Sequence, residues 1–224
     1  MRMTIFAASG GIGRHLLAQA VAAGHDVTAV VRDPARLPAA HGAQRVVTAD
    51  LGAPDPAVLA DAVAGSDAVL SGLGPRTRAE AGVTSRGTRA IVAAMRAGEV
   101  RRIVVVTAAP VSTEPSPGRP RPPRRDPGEG FVMRNVLTPA ARAVQRRHYA
   151  DLAVTEDVLC QRGLDWTVVR PPRLTDRPLT GTYRTAYGRN LRRGSVVPRA
   201  DVAHYMLRAL TEPDSIRQAV GIAT

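Results

Sequence analysis

The stretch MTIFAASGGIG, residues 3–13, decides the fold of this chain. Residues 3–7 are a short apolar run that predicts a buried strand, and residues 11–23 predict a helix with one apolar face. The glycine-rich turn between them presents backbone N–H groups and a helix amino terminus, which together attract the pyrophosphate of a dinucleotide. The alternative, a tight turn that binds nothing, is disfavoured by the strand–turn–helix setting.

The residues assigned to the pyrophosphate lie in this turn. Gly10 and Gly11 allow the main chain to approach the phosphates, and Gly13 allows the helix to pack closely on the strand. Ala7 holds the place that the usual GxGxxG spacing gives to its first glycine. The predicted contacts are Ser9, Gly10, Gly11, Ile12 and Gly13.

Strand and helix patterns alternate along the rest of the chain. Further strands are predicted at residues 27–31, 44–48, 68–71, 101–107, 166–169, around 182–187 and at 218–223. Helices are predicted at residues 56–63, 83–97 and 138–162, from a capping Asp201 to residue 210, and as a short helix opened by Asp33 and Pro34. This alternation predicts a single α/β domain with a Rossmann-like, doubly wound parallel sheet.

Composition excludes several classes of protein. The 224 residues suit one domain, and 44% of them are hydrophobic, which is enough for a core. Cys160 is the only cysteine, which excludes a disulfide framework and a metal site with several cysteine ligands, and we expect no metal. Because no apolar run reaches membrane-spanning length and the first residues lack a signal peptide, we expect a cytoplasmic protein that contacts no membrane.

The basic residues are unusual, since all 31 of them are arginines. The absence of lysine excludes Schiff-base chemistry, a phosphate loop ending in Gly-Lys-Ser/Thr and a tyrosine–lysine catalytic pair. The formal net charge of +12 is a weak indication of nucleic-acid binding, because the arginines are spread along the chain and aromatic residues make up only 3%. We therefore expect a small-molecule substrate rather than a nucleic acid, and a monomer or a homodimer.

The end of the second predicted strand indicates the cofactor. A site for NAD places an acidic residue here, where it accepts hydrogen bonds from the ribose. This chain instead has Arg32, with Arg36 four residues later, so that two guanidinium groups are able to face one 2′-phosphate. In the alternative interpretation, Arg36 pairs with Asp33 at a solvated helix start. The pattern favours NADP(H).

Two further predicted strands end in residues suited to the adenosine part of the cofactor, at the edge where open α/β sheets bind ligands. Asp50, which Leu51 follows, is either an acceptor for the adenine amino group or the cap of the next helix. Small residues after the fourth strand allow contact with the adenosine ribose. They belong to the stretch Gly72, Leu73 and Gly74.

Taken in order, ASGGIG, VVRDPARL, ADL, IVVVTAA, GLDWTVVRPP and VPRADVA resemble the NAD(P)H-binding, NmrA-like branch of the atypical short-chain dehydrogenases/reductases, and especially its biliverdin reductase B (flavin reductase) group. The resemblance spans nearly the whole chain. It implies that residues 10–13 hold the pyrophosphate and that Arg32 and Arg36 hold the 2′-phosphate. The residues that it places beside the nicotinamide are Thr107, Ala108, Pro171 and Pro172.

The chain departs from the catalytic patterns of these families. Conventional short-chain dehydrogenases use Tyr-x-x-x-Lys, but Tyr149 is followed four positions later by Ala153. The biliverdin reductase B group carries a serine after the fifth strand and a histidine after the Pro-Pro pair, where this chain has Ala108 and Arg173. Hydride transfer nevertheless needs no acid from the protein when the acceptor takes its proton from water.

Three residues are the catalytic candidates. Tyr149 is the first, as an acid or an orienting group, and the alternative is a packed ring with its hydroxyl at the surface. Arg173 binds a substrate oxygen or lies on the surface, and Thr107 hydrogen-bonds the cofactor carboxamide or the substrate. Three others are interpreted as structural: Glu156, His148 as a satisfied or exposed histidine, and Cys160 as a buried packing residue.

Residues 110–130 form an irregular insertion rich in proline and arginine. Residues 110–127 contain seven prolines and four arginines and cannot form a helix or a central strand. The insertion is either a lid that recognises an acidic or large aromatic substrate, or a solvated surface loop, which its lack of aromatic residues favours. The arginines of the lid interpretation are Arg119, Arg121, Arg124 and Arg125.

These features favour an NADPH-dependent oxidoreductase that transfers hydride to a small conjugated, quinone- or flavin-like acceptor or to a carbonyl. A non-catalytic, NADP-sensing regulatory protein is the first alternative, because the usual catalytic lysine, serine and histidine are missing. An isomerase or dehydratase that recycles its cofactor is the second.

Overall fold

A computed structural model describes residues 1–75, 77, 80–128, 138–160 and 163–224, with the backbone alone for residues 138–144. Its strands are β1 (Arg2–Phe6), β2 (Asp26–Val31), β3 (Arg45–Thr48), β4 (Ala68–Ser71), β5 (Arg102–Val106), β6 (Asp165–Arg170), β7 (Arg173–Thr175), β8 (Arg184–Tyr187), β9 (Val196–Pro198) and β10 (Gln218–Ala223). Its α-helices are α1 (Gly13–Ala22), α2 (Pro56–Val63), α3 (Val83–Ala97), α4 (Thr138–Leu159) and α5 (Arg199–Arg208). Short 3₁₀ helices occupy Pro34–Arg36, Ala109–Thr113, Ala209–Thr211 and Pro213–Ser215. None of the described helices is long and apolar enough to span a lipid bilayer.

The central sheet has the strand order β3-β2-β1-β4-β5-β6-β10-β8. Its neighbouring strands are parallel except for β8, which pairs antiparallel with β10. The direction in which strands are added reverses between β1 and β4, and ligands of such sheets bind in the crevice at the carboxyl ends of the strands there. The structure therefore confirms the predicted Rossmann-like, doubly wound sheet in a single domain.

Side chains of each central strand alternate between two hydrophobic cores, one on each face of the sheet. In β1, Ile5 belongs to the core under α1 and α5, whereas Phe6 belongs to the core under α2 and α3. In β2, Val31 and Val30 divide in the same way. Because both faces are covered by helices, the interior positions of these strands are mostly apolar, and Thr4 in β1 and Thr28 in β2 are the exceptions.

The short strands β7 and β9 pair in parallel and form a second sheet, which was not predicted from the sequence. Three-residue strands are too short to show a periodic pattern. This sheet pairs Arg173 with Val196 and Thr175 with Pro198, so the chain that follows Pro171 and Pro172 runs alongside the start of α5.

The prediction that Asp201 caps the last helix is wrong. α5 begins at Arg199, and Asp201 lies within its first turn and is fully buried. Its carboxylate accepts hydrogen bonds from the Thr180 N–H at 2.9 Å, the Thr180 hydroxyl at 2.7 Å and the Gly181 N–H at 2.9 Å. Asp201 therefore holds the loop before β8 rather than its own helix. Some other predicted helix ends also shift, since α1 spans Gly13–Ala22, α4 ends at Leu159 and α5 ends at Arg208. Residues 161–162, which were predicted to be helical, lie outside the described part.

The insertion is largely a surface loop, as the second interpretation predicted, but it is anchored to the domain at several points. The 3₁₀ helix Ala109–Thr113 is largely buried. Farther along, the carboxylate of Asp157 in α4 accepts hydrogen bonds from the Ser116 hydroxyl and the Gly118 N–H, both at 2.8 Å. The buried carboxylate of Asp126 accepts a hydrogen bond from the Asn190 N–H at 3.0 Å.

The arginines of the insertion do not act together as a lid in this structure. Arg119 donates a hydrogen bond to the Val111 carbonyl at 2.7 Å, within its own segment. Three more arginines are exposed: Arg121, Arg124 and Arg125. Residues 129–130 of the predicted insertion lie outside the described residues.

Candidate cofactor and substrate site

A cavity of about 330 Å³ lies at the carboxyl ends of β1, β2, β3 and β4, and we call it the cofactor cavity. It brings together most of the residues predicted for the pyrophosphate and the adenosine. These are Ser9, Gly10, Gly11, Ile12, Arg32, Asp50, Leu51, Gly72, Leu73 and Gly74, and Thr107 joins them from the end of β5. Of the residues predicted for the pyrophosphate and the 2′-phosphate, Gly13 and Arg36 do not line it.

Close packing explains the glycines of the first turn. A Cβ on Gly13 would lie 2.0 Å from the carbonyl oxygen of Ala7, so a larger residue has no room there. Ala7 itself has a left-handed backbone (φ 55°), and its carbonyl accepts a hydrogen bond from the Gly10 N–H at 2.8 Å. No side chain caps the amino terminus of α1, and Gly11 and Ile12, which directly precede this helix, line the cavity. The positive end of the helix dipole therefore lies at the cavity.

Arg199 is a cation of this cavity that the sequence analysis did not single out. A Cβ on Gly11 would lie 2.9 Å from Arg199 Nε, which places the guanidinium directly over the glycine turn. Arg199 Nη1 donates a hydrogen bond to Asp176 Oδ1 at 2.8 Å. In the sequence, Arg199 was indicated only by its place in the VPRADVA stretch. It directly follows β9, and the pairing of β9 with β7 positions it at the site.

Arg32 lines the cofactor cavity as predicted, but it has an acidic partner. Its Nη1 donates a hydrogen bond to Glu80 Oε1 at 2.8 Å, and Glu80 lines the same cavity. The hydrogen bond to Glu80 and the charge of Glu80 raise the pKa of Arg32. Arg36 lies in the 3₁₀ helix that Asp33 caps through the Ala35 N–H, and the structure shows no ion pair between Arg36 and Asp33.

Asp50 does not cap the next helix, which corrects one of its two interpretations. Its Oδ1 accepts a hydrogen bond from the Gly52 N–H at 2.9 Å, and its side chain is exposed at the cavity. The cap of α2 is Asp55, which accepts from the Ala57 N–H at 2.8 Å. The interpretation of Asp50 as an acceptor for the cofactor stays a prediction.

A second cavity, of about 760 Å³, adjoins the first, and we call it the substrate cavity. It contains the residues predicted around the nicotinamide and two of the catalytic candidates: Thr107, Ala108, Pro171, Pro172, Tyr149 and Arg173. Thr107, His148, Leu174 and Arg199 line both cavities, and we call them the junction residues. Among the described residues that line the substrate cavity there is no aspartate or glutamate.

Thr107 is tied to a buried ion pair. Its hydroxyl donates a hydrogen bond to Glu156 Oε1 at 2.9 Å, and Arg170 Nε donates to the same oxygen at 2.9 Å. Burial alone would lower the pKa of Arg170, but its hydrogen bond to Glu156 and the Glu156 charge raise it. Glu156 therefore has a positioning role behind the site, as its structural interpretation predicted.

Tyr149 is buried, which confirms the packed ring of its alternative interpretation. Its ring packs with Val111, Leu152 and Ala153 in a small hydrophobic cluster between α4 and the insertion. It still lines the substrate cavity, where a catalytic or orienting role stays a prediction. Arg173 begins β7 and is exposed at the rim of the same cavity.

His148 is neither satisfied nor exposed, which corrects its interpretation from the sequence. It is half-buried among the junction residues, and its Nδ1 is buried with no hydrogen-bond partner in the described part of the chain. Burial lowers the pKa of His148, and the nearby charge of Asp151 partly opposes this shift. The imidazole is therefore largely neutral at pH 7.

The remaining questions about titratable residues concern Cys160 and whether any group of side chains is able to bind a metal ion. Cys160 is exposed at the end of α4, so its interpretation as a buried packing residue is wrong. Neighbouring atoms still partly desolvate the thiol, and this desolvation and the charges of Glu156 and Asp157 raise its pKa. Within the described residues, no three His, Cys, Asp or Glu side chains are arranged to hold a metal ion.

Comparison with known proteins gives a family and a set of similar folds. A family model described as NAD(P)H-binding matches residues 7–213. A protein from Burkholderia pseudomallei is 29% identical, with a TM-score of 0.73 and both chains covered completely. A short-chain dehydrogenase/reductase from Veillonella parvula in complex with NADP is 18% identical, with a TM-score of 0.80 over 100% of this chain and 94% of that one. ChuY, an anaerobillin reductase from Escherichia coli O157:H7, is 23% identical, with a TM-score of 0.76 over 100% and 97% of the two chains.

Proposed function

Because the chain belongs to the NAD(P)H-binding family, we propose that it is an NADPH-dependent oxidoreductase that reduces a small conjugated acceptor, such as a quinone or a flavin. The observation that carries the proposal is the junction between the two cavities. A cradle for a dinucleotide opens directly into a second space, about 760 Å³ in volume, that is large enough for another molecule. Reduction requires such contact, since the nicotinamide ring supplies hydride only to an atom that touches it.

The preference for NADP(H) rests on the cations around the cofactor cavity. In the proposed complex, the glycine turn at the positive end of α1 and the Arg199 guanidinium, which lies over Gly11, bind the diphosphate. Arg32 binds the 2′-phosphate in place of Glu80, and Arg36 is close enough in sequence to assist. Asp50 accepts from the adenine amino group.

The walls of the substrate cavity support a flat, uncharged or anionic acceptor. Pro171, Pro172 and Leu174 form an apolar surface that excludes water from the reacting atoms. Arg173 and Arg199 add positive charge, and no acidic side chain among the described lining residues opposes it. A cationic substrate is therefore disfavoured.

A turnover assay tests this function. We expect the purified protein to oxidise NADPH in the presence of at least one member of a panel of quinones and flavins. NADH should support a lower kcat/KM, and Tyr149→Phe should reduce turnover if that hydroxyl orients the acceptor. Tight binding of NADPH with no turnover across the panel would instead favour the second candidate.

That second candidate is a non-catalytic, NADP-sensing regulatory protein. It is favoured by one specific feature, the presence of Ala108 and Arg173 where the family resemblance calls for a serine and a histidine. An isomerase or dehydratase that retains its cofactor stays a further alternative. In each case we propose a cytoplasmic monomer or homodimer that acts on a small molecule.

A further inference from the structure

The junction residues are the part of the protein where a proton has to be delivered. A cofactor in the first cavity and an acceptor in the second meet only where both cavities share a wall. That wall consists of Thr107, His148, Leu174 and Arg199. A side chain that is able to contact the cofactor and the acceptor at the same time is therefore expected among these four.

Three of the four cannot release a proton to an acceptor. Leu174 has no titratable group. Arg199 is bonded to Asp176, and a guanidinium does not deprotonate in proteins. The hydroxyl hydrogen of Thr107 is already donated to Glu156 Oε1, so this side chain has only an acceptor to offer a ligand.

His148 has the chemistry that the other three lack, and one of its nitrogens is ruled out. Nδ1 is shielded from solvent and has no partner among the described residues. Exchange of a proton with a ligand or with water therefore has to use Nε2. The ring is held in place by α4 and by its contact with the Tyr149 ring, whose centroid is 5.6 Å away at an angle of 40°.

We propose that His148 is the general acid that protonates the reduced acceptor, through Nε2, a role that rests on the function proposed above. The acceptor takes two electrons and one hydrogen from the reduced cofactor and is left with one additional negative charge. The Nε2–H bond of the His148 imidazolium then breaks, and its proton forms a new bond to the acceptor oxygen or nitrogen. The neutral imidazole regains a proton from water, so the net reaction consumes one NADPH and one proton.

The charges that face His148 determine its dependence on pH. On its own helix the charged group is Asp151. The neutral side chains of Tyr149 and Thr107 and the cationic side chains of Arg199, at the start of α5, and Arg173, in β7, line the same cavity as His148. Burial lowers the pKa of His148 from its ordinary value of about 6.5, against the pull of Asp151. Because only the imidazolium is an acid, kcat should rise as the pH falls below about 6.5 and should decline as the pH increases above it.

A pH profile with matched variants tests the proposal, using menadione as the acceptor or, if it is not reduced, the best acceptor of the panel. We expect His148→Gln to lower kcat by roughly 100-fold and to abolish the rise at acid pH. The KM for NADPH and the melting temperature should stay close to those of the wild-type protein. His25→Gln is the control, because His25 immediately precedes β2. It therefore lies at the amino end of that strand, whereas both cavities lie beyond the carboxyl ends of the strands.

The outcomes separate this proposal from the proposed function. A wild-type protein that reduces an acceptor with no increase in rate at acid pH overturns the role of His148 without the need for a variant. His148→Gln with an unchanged kcat and pH profile overturns it as well and leaves the reductase function standing. A wild-type protein that binds NADPH but reduces no acceptor overturns both.

Discussion

Ala7 shows how a single backbone conformation shapes the cofactor turn. Its φ of 55° is left-handed, a region in which an L-residue costs roughly 1–2 kcal/mol and glycine costs little. The turn nevertheless needs this conformation, because the Ala7 carbonyl accepts the Gly10 N–H and closes against Gly13. The strain is thus retained at the place where the sequence departs from the usual glycine.

Replacing this alanine should relieve the strain. We expect Ala7→Gly to raise the free energy of unfolding by about 0.5–1 kcal/mol, after the greater unfolded-state entropy of glycine is subtracted. Chemical denaturation measures the change. Ala8→Gly is the matched control, because Ala8 is fully buried and does not have a positive φ. Removal of the Ala8 methyl group should lower the free energy of unfolding. An Ala7→Gly protein no more stable than the wild type would contradict the strain argument.

Arg32 and Glu80 form the pair that decides the choice of cofactor at the level of single residues. The predicted phosphate-binding arginine is present, yet its guanidinium is occupied by a carboxylate that lies 48 positions away in the sequence. A 2′-phosphate has to displace Glu80 from Arg32, whereas a ribose hydroxyl is able to donate a hydrogen bond to Glu80 directly. The pair therefore limits the preference for NADP(H) over NAD(H).

Two substitutions should move this preference in opposite directions. Arg32→Ala should weaken NADP⁺ binding roughly tenfold or more and leave NAD⁺ nearly unchanged, because only the former carries the phosphate. Glu80→Gln should strengthen NADP⁺ binding, since the phosphate no longer competes with a carboxylate. Isothermal titration calorimetry with both coenzymes measures the four affinities. If Arg32→Ala weakened the binding of both coenzymes equally, Arg32 would not be the residue that binds the 2′-phosphate.

At the scale of elements, α4 holds the insertion as well as the site. Its residues Tyr149 and Leu152 pack on the 3₁₀ helix Ala109–Thr113 through Val111, and Asp157 binds the following segment at Ser116 and Gly118. The amino-terminal part of the insertion forms one wall of the substrate cavity, at Ala109 and Pro110. The position of that wall therefore depends on hydrogen bonds made outside the cavity.

Loss of one anchor should loosen the insertion without unfolding the domain. We expect Asp157→Ala to increase the rate of trypsin cleavage after Arg124 and Arg125 several-fold, because local opening needs fewer hydrogen bonds to be broken. Both arginines are already exposed, so the protease needs only a mobile backbone. Asp61→Ala, which removes an exposed carboxylate from an ion pair with Arg45, is the control. Identical digestion of both variants would show that Asp157 does not hold the segment.

At the scale of the whole molecule, the cofactor should act as a structural ligand. Its proposed contacts reach the ends of β1, β2, β3 and β4 together with the start of α5, so binding favours the folded state over the unfolded chain. We expect the single domain to unfold in one transition, so that its melting temperature reports that linkage.

Saturation with NADPH should raise this melting temperature. At a concentration about 100 times the Kd, the stabilisation is roughly 2.7 kcal/mol, which corresponds to about 5–10 °C for a domain of this size. Differential scanning calorimetry with NADPH, and with NADH at the same concentration, measures both shifts. A shift with neither coenzyme would contradict the cofactor site, and a larger shift with NADH would contradict the preference for NADPH.

The sequence by itself determined the layered architecture of this protein, the glycine turn and the element order. It did so because burial on both faces of a strand or on one face of a helix leaves a local period, and because a cap such as Asp33 acts within two residues. As a result α2, β4, α3 and β10 occupy the predicted residues.

Only the tertiary structure decided which charges meet. The pairing of Arg32 with Glu80, the position of Arg199 over Gly11 and the place of His148 between the two cavities join parts of the chain that share no local pattern. Such contacts depend on how separate elements pack, and a spacing along the chain carries no record of that packing.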